Sequence, residues 1–182
     1  MWILIGAIGA VILWLIWAYN SLTRVNVRVD EAWSDITVQM RRRADLIPNL
    51  VKTVKGYATH EKDTLAKVTE LRTAPMNAGS VKEAAKAENM FTQALKSIFA
   101  VAEAYPDLKA DKNFKDLQEQ LVDTENKIQA ARRFYNGAVR SLNTKIKVFP
   151  TNIFAKRLGF AIREFFETDD RATIEKPVEV DL

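Results

Sequence analysis

The sequence predicts an all-α protein: an N-terminal single transmembrane helix continuing into an antiparallel up-and-down helical bundle with long coiled-coil-like helices. Three observations carry this reading. Residues 1–23 contain no charged side chain, the first being Arg24. Beyond them, apolar positions alternate spacings of four and three residues over long stretches, the signature of helices that pack along one seam. Strand-like alternation is confined to Ala172–Val180. The organisation expected is a membrane anchor over 1–22, a helical bundle domain over 23–166 and an acidic extended tail over 167–182.

The first element is the anchor. As a helix rising about 1.5 Å per residue, Trp2 to Tyr19 spans roughly 26 Å, close to the hydrocarbon thickness of a bilayer. Trp2 stands at one end and Trp14, Trp17 and Tyr19 at the other, an aromatic belt at both headgroup levels. No Lys or Arg precedes the apolar run, no A-x-A-like cleavage site follows it and no Cys is present for lipidation. The segment therefore reads as a retained anchor rather than a cleaved signal peptide. Arg24, Arg28 and the Arg41–Arg43 run follow it, so the positive-inside bias places the N-terminus outside and the bundle in the cytoplasm.

Leu22, Asn26, Val29, Trp33, Ile36, Met40, Arg43 and Ile47 continue the anchor as one seam. Pro48 is expected to end or sharply kink this rod, because its ring clashes with the carbonyl four residues back. A second helix is expected to carry Leu50, Val51, Val54, Tyr57, Leu65, Val68 and Leu71 on one face. Thr73–Gly79 reads as a turn, and Ser80 with Glu83 forms a capping box that starts a third helix. Met90, Phe91, Leu95, Ile98, Phe99 and Ala102 form its apolar face up to Pro106. The longest bundle helix runs from about Asp111 to Lys147, its seam including Phe114, Leu121, Thr124, Ile128, Tyr135 and Leu142. A fifth helix is expected after Pro150.

Composition excludes several kinds of chemistry. With no Cys there is neither a disulfide framework nor thiolate catalysis. His60-Glu61 begins a His-Glu-x-x-His zinc motif, but Thr64 stands where the second imidazole must be, and His60 is the sole histidine. The same shortage removes nucleophilic triads, and six unclustered glycines form no phosphate-cradling loop. The expectation is a non-enzyme with no cofactor and no metal. A net charge of +4, with the charges interspersed, argues against nucleic-acid binding.

The run EAWSDITVQMRRRADLIPNLVKTVKGYATHEKDTLAKVTELR (Glu31–Arg72) resembles the signature of the LemA family. So do YPDLKADKNFKDLQEQLVDTENKIQAARRFYNGAVRSLNTKIKVFP (Tyr105–Pro150) and the YN pair at Tyr19 and Asn20. Thr37 and Met40 stand where the family usually has Asp and Leu, and Leu71 where Ala is common. The resemblance implies a bacterial, membrane-anchored helical bundle without established enzymatic activity. Members are often encoded beside a membrane zinc metalloprotease of the HtpX type, and relatives act on internal membranes such as those of magnetosomes. The implied location is the bacterial cytoplasmic (inner) membrane.

Polar residues on the seams are the first candidate contacts. Asn26, Arg43 and Thr124 occupy positions the pattern would fill with apolar groups. Glu125 lies beside that seam within reach of Arg42 or Arg43, with Arg132 and Arg133 two turns on. Such groups set helix register or bridge subunits, or else they are solvated at the bundle edge. If they bridge subunits, reversing the charge of Arg42 and Arg43 disperses the assembly. The second candidate is the aromatic stretch after Pro150. Phe154, Leu158 and Phe165 share a helical face, and Phe160 and Phe166 lie off it. It reads as a lid, as an apolar patch for a neighbouring subunit, or as a helix lying on the bilayer. The function expected is a membrane-anchored scaffold or adaptor that self-assembles into a large homo-oligomer and associates with an HtpX-type protease. The alternative is a membrane-shaping or lipid-binding module.

Overall fold

The computed structural model describes residues 1–167. Their regular structure is helical throughout: α1 (Trp2–Tyr57), α2 (Lys62–Leu71), α3 (Val81–Glu103), α4 (Pro106–Ala110), α5 (Lys112–Lys147) and a 3-10 turn at Thr151–Ile153. The tail expected over 167–182, with its Ala172–Val180 alternation, lies outside the described residues apart from Glu167.

The chain divides into two compact units, and α1 and α5 each contribute to both. The first joins residues 1–35 with 131–165. There α1 and α5 run antiparallel: Trp33 packs on Tyr135 with ring centroids 5.6 Å apart, while Ser21 meets Lys145. Leu22, Val29 and Ala32 are buried from α1, and Tyr135, Val139 and Leu142 from α5. Before Ala18, nearly every apolar side chain of α1 is exposed. This stretch makes α1 long and apolar enough to cross a membrane.

Among the described residues, the second unit comprises 36–130 and 166–167. Its core gathers Ile47, Leu50 and Val54 from α1, Leu65 and Val68 from α2, Phe91, Leu95 and Ile98 from α3, Leu108 from α4, and Phe114 and Leu121 from α5. The path is up-and-down: α1 ascends, α2 returns, α3 ascends beside α1, and α5 descends from its start near Tyr57, whose hydroxyl donates to Asp111 at 3.1 Å. Asp111 caps α5 by accepting from the Phe114 N–H at 2.9 Å. Ser80 caps α3 through the Glu83 N–H at 3.1 Å. The Glu83 carboxylate reaches back to the Gly79 N–H, one residue earlier than a strict capping box requires. A Cβ on Gly79 would stand 3.2 Å from that carboxylate, so a larger residue there would require the Glu83 side chain to shift by a few tenths of an ångström.

Three sequence expectations are corrected. Pro48 does not end the first rod; α1 runs through it to Tyr57. The ring is exposed, and Ile47 just before it and Leu50 and Val54 after it are fully buried. Each such side chain gains about 1.5–3 kcal/mol on burial, enough together to outweigh the roughly 3 kcal/mol a helical proline costs. The break falls instead at residues 58–61, which leaves His60 exposed in the turn before α2. Met90, assigned to the apolar face of α3, is exposed, and Glu88 takes an inward place.

The third correction concerns the fifth helix. Thr151–Leu158 makes little more than two turns. The Phe160 N–H then donates to the Ala155 carbonyl at 3.1 Å, and the Gly159 N–H to the Lys156 carbonyl at 3.2 Å. This is a Schellman stop, with Gly159 at φ +86°, a conformation that favours glycine. From Phe160 to Glu167 the chain is an irregular strap.

Candidate functional site

Within the second unit, the seam is interrupted by a buried charge cluster. Arg43 is 1% exposed and faces α3 and α5 at once. Its guanidinium pairs with Glu88, itself 2% exposed, and with Glu125 at 2.5 Å. It also donates to the Thr92 hydroxyl at 3.4 Å and lies 4.8 Å from the centre of the Phe91 ring. One cation thus joins three helices: α1, α3 and α5. Arginine suits this place because its planar fork offers donors on two sides and stacks on an aromatic face. The Nε atom keeps no hydrogen-bond partner, so the cluster is not fully satisfied. Beside it, Thr124 is buried and donates back to the Leu121 carbonyl at 2.9 Å.

Within the first unit, the strap is tied to the helix pair by polar contacts. The Asn143 side chain accepts from the Arg163 N–H and donates to the Arg163 carbonyl, both at 2.9 Å. The Tyr135 hydroxyl donates to the Glu164 carbonyl at 3.0 Å. Burial pushes the Tyr135 pKa above its ordinary value, against the opposing pull of Arg163. The Arg163 guanidinium reaches α1, pairing with Asp30 at 2.9 Å and donating to the Asn26 amide oxygen at 3.3 Å. Aromatic rings continue this tie toward the apolar segment. Tyr19 meets Phe160 at 5.7 Å and Trp14 meets Phe154 at 5.4 Å, both edge to face. Phe149, Ile153 and Leu158 remain exposed.

The residues singled out in the sequence thus fall into separate groups. Trp14 and Tyr19 hold the segment after Pro150, while Trp2 and Trp17 are exposed. Arg43 and Glu125 meet, but their partnership is internal to one chain. Arg43 is therefore removed from the expected subunit contacts, and reversing its charge would report on folding rather than assembly. Arg42 is exposed, 3.9 Å from Asp123. Arg132 is half-buried and Arg133 exposed. In the aromatic group, Phe154, Phe160 and Phe165 are half-buried and Leu158 is exposed. Phe166 is 1% exposed, so it leaves the surface patch. The helical face that joined these rings on paper does not form, because the chain straightens after Gly159.

Glu88 and Asn143 take part in the two clusters without having been assigned a role, and Tyr135, expected only on the α5 seam, also donates to the strap. Glu88 had a signal: it stands one turn before Thr92 and three residues before Phe91 on the apolar side of α3. The strap contacts had none, since they join side chains to backbone carbonyls of an irregular segment. Among the described residues, no three His, Asp or Glu side chains group as a metal site would require.

A family model described as the LemA family matches residues 32–182. The chain belongs to the LemA family. Among curated proteins, it is 26% identical over 187 residues to magnetosome protein MamQ 2 of Paramagnetospirillum magneticum, covering 88% of this chain and 69% of that protein. It is 28% identical over 152 residues to protein LemA of Metamycoplasma hominis, covering 83% and 69%. Magnetosome protein MamQ of Magnetospirillum gryphiswaldense is 24% identical over 178 residues, covering 84% and 65%. Among the described residues of this helical family member, one helix is long and apolar enough to cross a membrane.

Proposed function

We propose that this chain is a single-pass, non-catalytic scaffold or adaptor of the bacterial inner membrane, its N-terminus outside and its bundle in the cytoplasm. It self-assembles laterally into a large homo-oligomer and associates with a membrane zinc metalloprotease of the HtpX type. The observation that carries this reading is the unbroken course of α1 over 56 residues. The apolar segment passes without a linker into a helix that supplies the core of both units. A helix that continues from the apolar segment without a linker suits lateral assembly in the plane of the membrane.

Charge supports the orientation. The unit that contains the apolar segment holds ten basic against four acidic residues, a formal balance of +6. The rest of the chain holds 17 against 19, a balance of −2. Of these cations, Arg24 and Arg28 follow the apolar segment closely enough for the positive-inside bias, which favours the cytoplasm for the bundle. The protease partner is proposed on the strength of the family.

Location and partner are tested together. The chain lacks cysteine, so Gly56→Cys, at a position with open space around a Cβ, gives a single label site. A membrane-impermeant maleimide should label it only after the cells are permeabilised; labelling of intact cells would reverse the orientation. Tagged full-length protein should co-purify a membrane metalloprotease, and its consistent absence would remove the partner. A second reading, lipid binding or membrane shaping by the C-terminal aromatic segment, is favoured by the exposure of Phe149, Ile153 and Leu158.

A further inference from the structure

Where α1 leaves its apolar stretch, a cleft of about 240 Å³ opens between it and the end of α5. Trp14, Trp17 and Phe149 are among its apolar lining, and Ser21, Lys145 and Thr151 supply its polar side chains. The volume is below the roughly 300–1,000 Å³ of a typical small-molecule pocket, so it suits part of a larger ligand. We propose that this cleft binds an anionic phospholipid, its phosphate on Lys145 and Thr151 and its upper acyl chain along Trp14, Trp17 and Phe149.

Three features point to this occupant. Ser21 lies two residues past Tyr19, about 3 Å along the helix axis, which puts Lys145 at headgroup level when Trp2–Tyr19 spans the bilayer. Among the described residues, the Lys145 ammonium, which carries three donors, has the Ser21 hydroxyl at 2.5 Å and no carboxylate as an ion-pair partner. A phosphate would supply the missing countercharge. Residues 126–163 contain nine basic and no acidic side chains, so the whole segment around the cleft favours an anion. Phe149 is 79% exposed next to this charge, an arrangement that water disfavours and an acyl chain relieves. The proposal rests on the membrane placement above but not on self-assembly or on the protease.

The test uses the full-length protein in a neutral, mild detergent, where membrane insertion and orientation play no part. Its thermal unfolding is followed while dioleoyl phosphatidylglycerol, dioleoyl phosphatidylcholine or inorganic phosphate is added. Phosphatidylglycerol is expected to raise the Tm in a saturable way, while phosphatidylcholine and phosphate leave it unchanged. Lys145→Gln should weaken the half-saturating lipid concentration about fivefold, the effect of one cation near an anionic headgroup. Lys147→Gln, in the same basic segment but outside the cleft, should not. An equal loss in both variants would show general surface attraction and overturn the site. A Tm rise with phosphate alone would replace the lipid by a free anion. Should Lys145→Gln fail to fold, Thr151→Val is read in its place, and unchanged lipid affinity there overturns the assignment.

Discussion

Arg43 shows at the scale of one side chain how this bundle ties three helices together. Replacing it by Met would leave Glu88, 2% exposed, and Glu125 facing each other without a cation. Removing one partner of a buried pair costs about 3–5 kcal/mol, a large part of the 5–15 kcal/mol that holds a typical domain. Urea unfolding of the full chain in mild detergent should show that loss. Arg43→Met with Glu88→Leu should recover much of it, since Glu125 is partly solvated and can hydrate its charge. A double variant as unstable as the single one would contradict this account of the cluster. Two tyrosines should also ionise late in an alkaline titration. The Tyr57 pKa is raised first of all by its hydrogen bond to Asp111, and the Tyr135 pKa by burial. Because the folded-state values are the higher ones, the stability these hydroxyls contribute is complete below the unfolded pKa of about 10. It is lost as the pH rises through the folded values. Tyrosinate absorbance should therefore show a delayed phase, and Asp111→Asn should return the Tyr57 part of it toward the ordinary range.

At the scale of elements, Pro48 and the strap make opposite points. The proline is tolerated because apolar burial on both sides holds α1 together, so Pro48→Ala should raise stability by about 1–3 kcal/mol without altering the fold. A destabilised alanine variant would mean that the proline ring itself is needed. The strap is held by few contacts, and Asn143→Ala removes two hydrogen bonds worth about 0.5–1.5 kcal/mol each. Limited trypsin digestion after Arg163 should accelerate in that variant, while cleavage after Lys86 in α3 should not change. What was legible in the sequence follows the same division. The long helices and the seam residues Arg43 and Thr124 could be read because periodicity alone fixes which side of a helix is buried. The start of α5 at Asp111 and the cap at Ser80 were legible from local side-chain chemistry. Pro48 misled because its local cost is visible in sequence and the distant packing that outweighs it is not. Gly159 was a visible stop signal, overridden on paper by an aromatic spacing that happens to match a helix.

At the scale of the whole molecule, charge is distributed unevenly between the unit holding the membrane segment, at +6, and the remainder, at −2. This favours apposition of the first unit to an anionic surface, each nearby cation contributing about 1 kcal/mol. In the second unit the exposed Val38 stands one turn from Arg42, and the exposed Val122 lies next to Asp123, the partner of Arg42 at 3.9 Å. On the proposed lateral assembly, exposed apolar groups near a solvated ion pair are the place to test for a repeated contact. A Val38→Glu, Val122→Glu variant should keep its helical circular dichroism and lose assembly; an unchanged particle size would move the contact elsewhere. The most direct measurement is the mass of the full-length protein, extracted in mild detergent, by single-particle mass photometry. The scaffold account predicts a discrete particle many times the 20.7 kDa chain mass after subtraction of detergent. A monomer or dimer would contradict it.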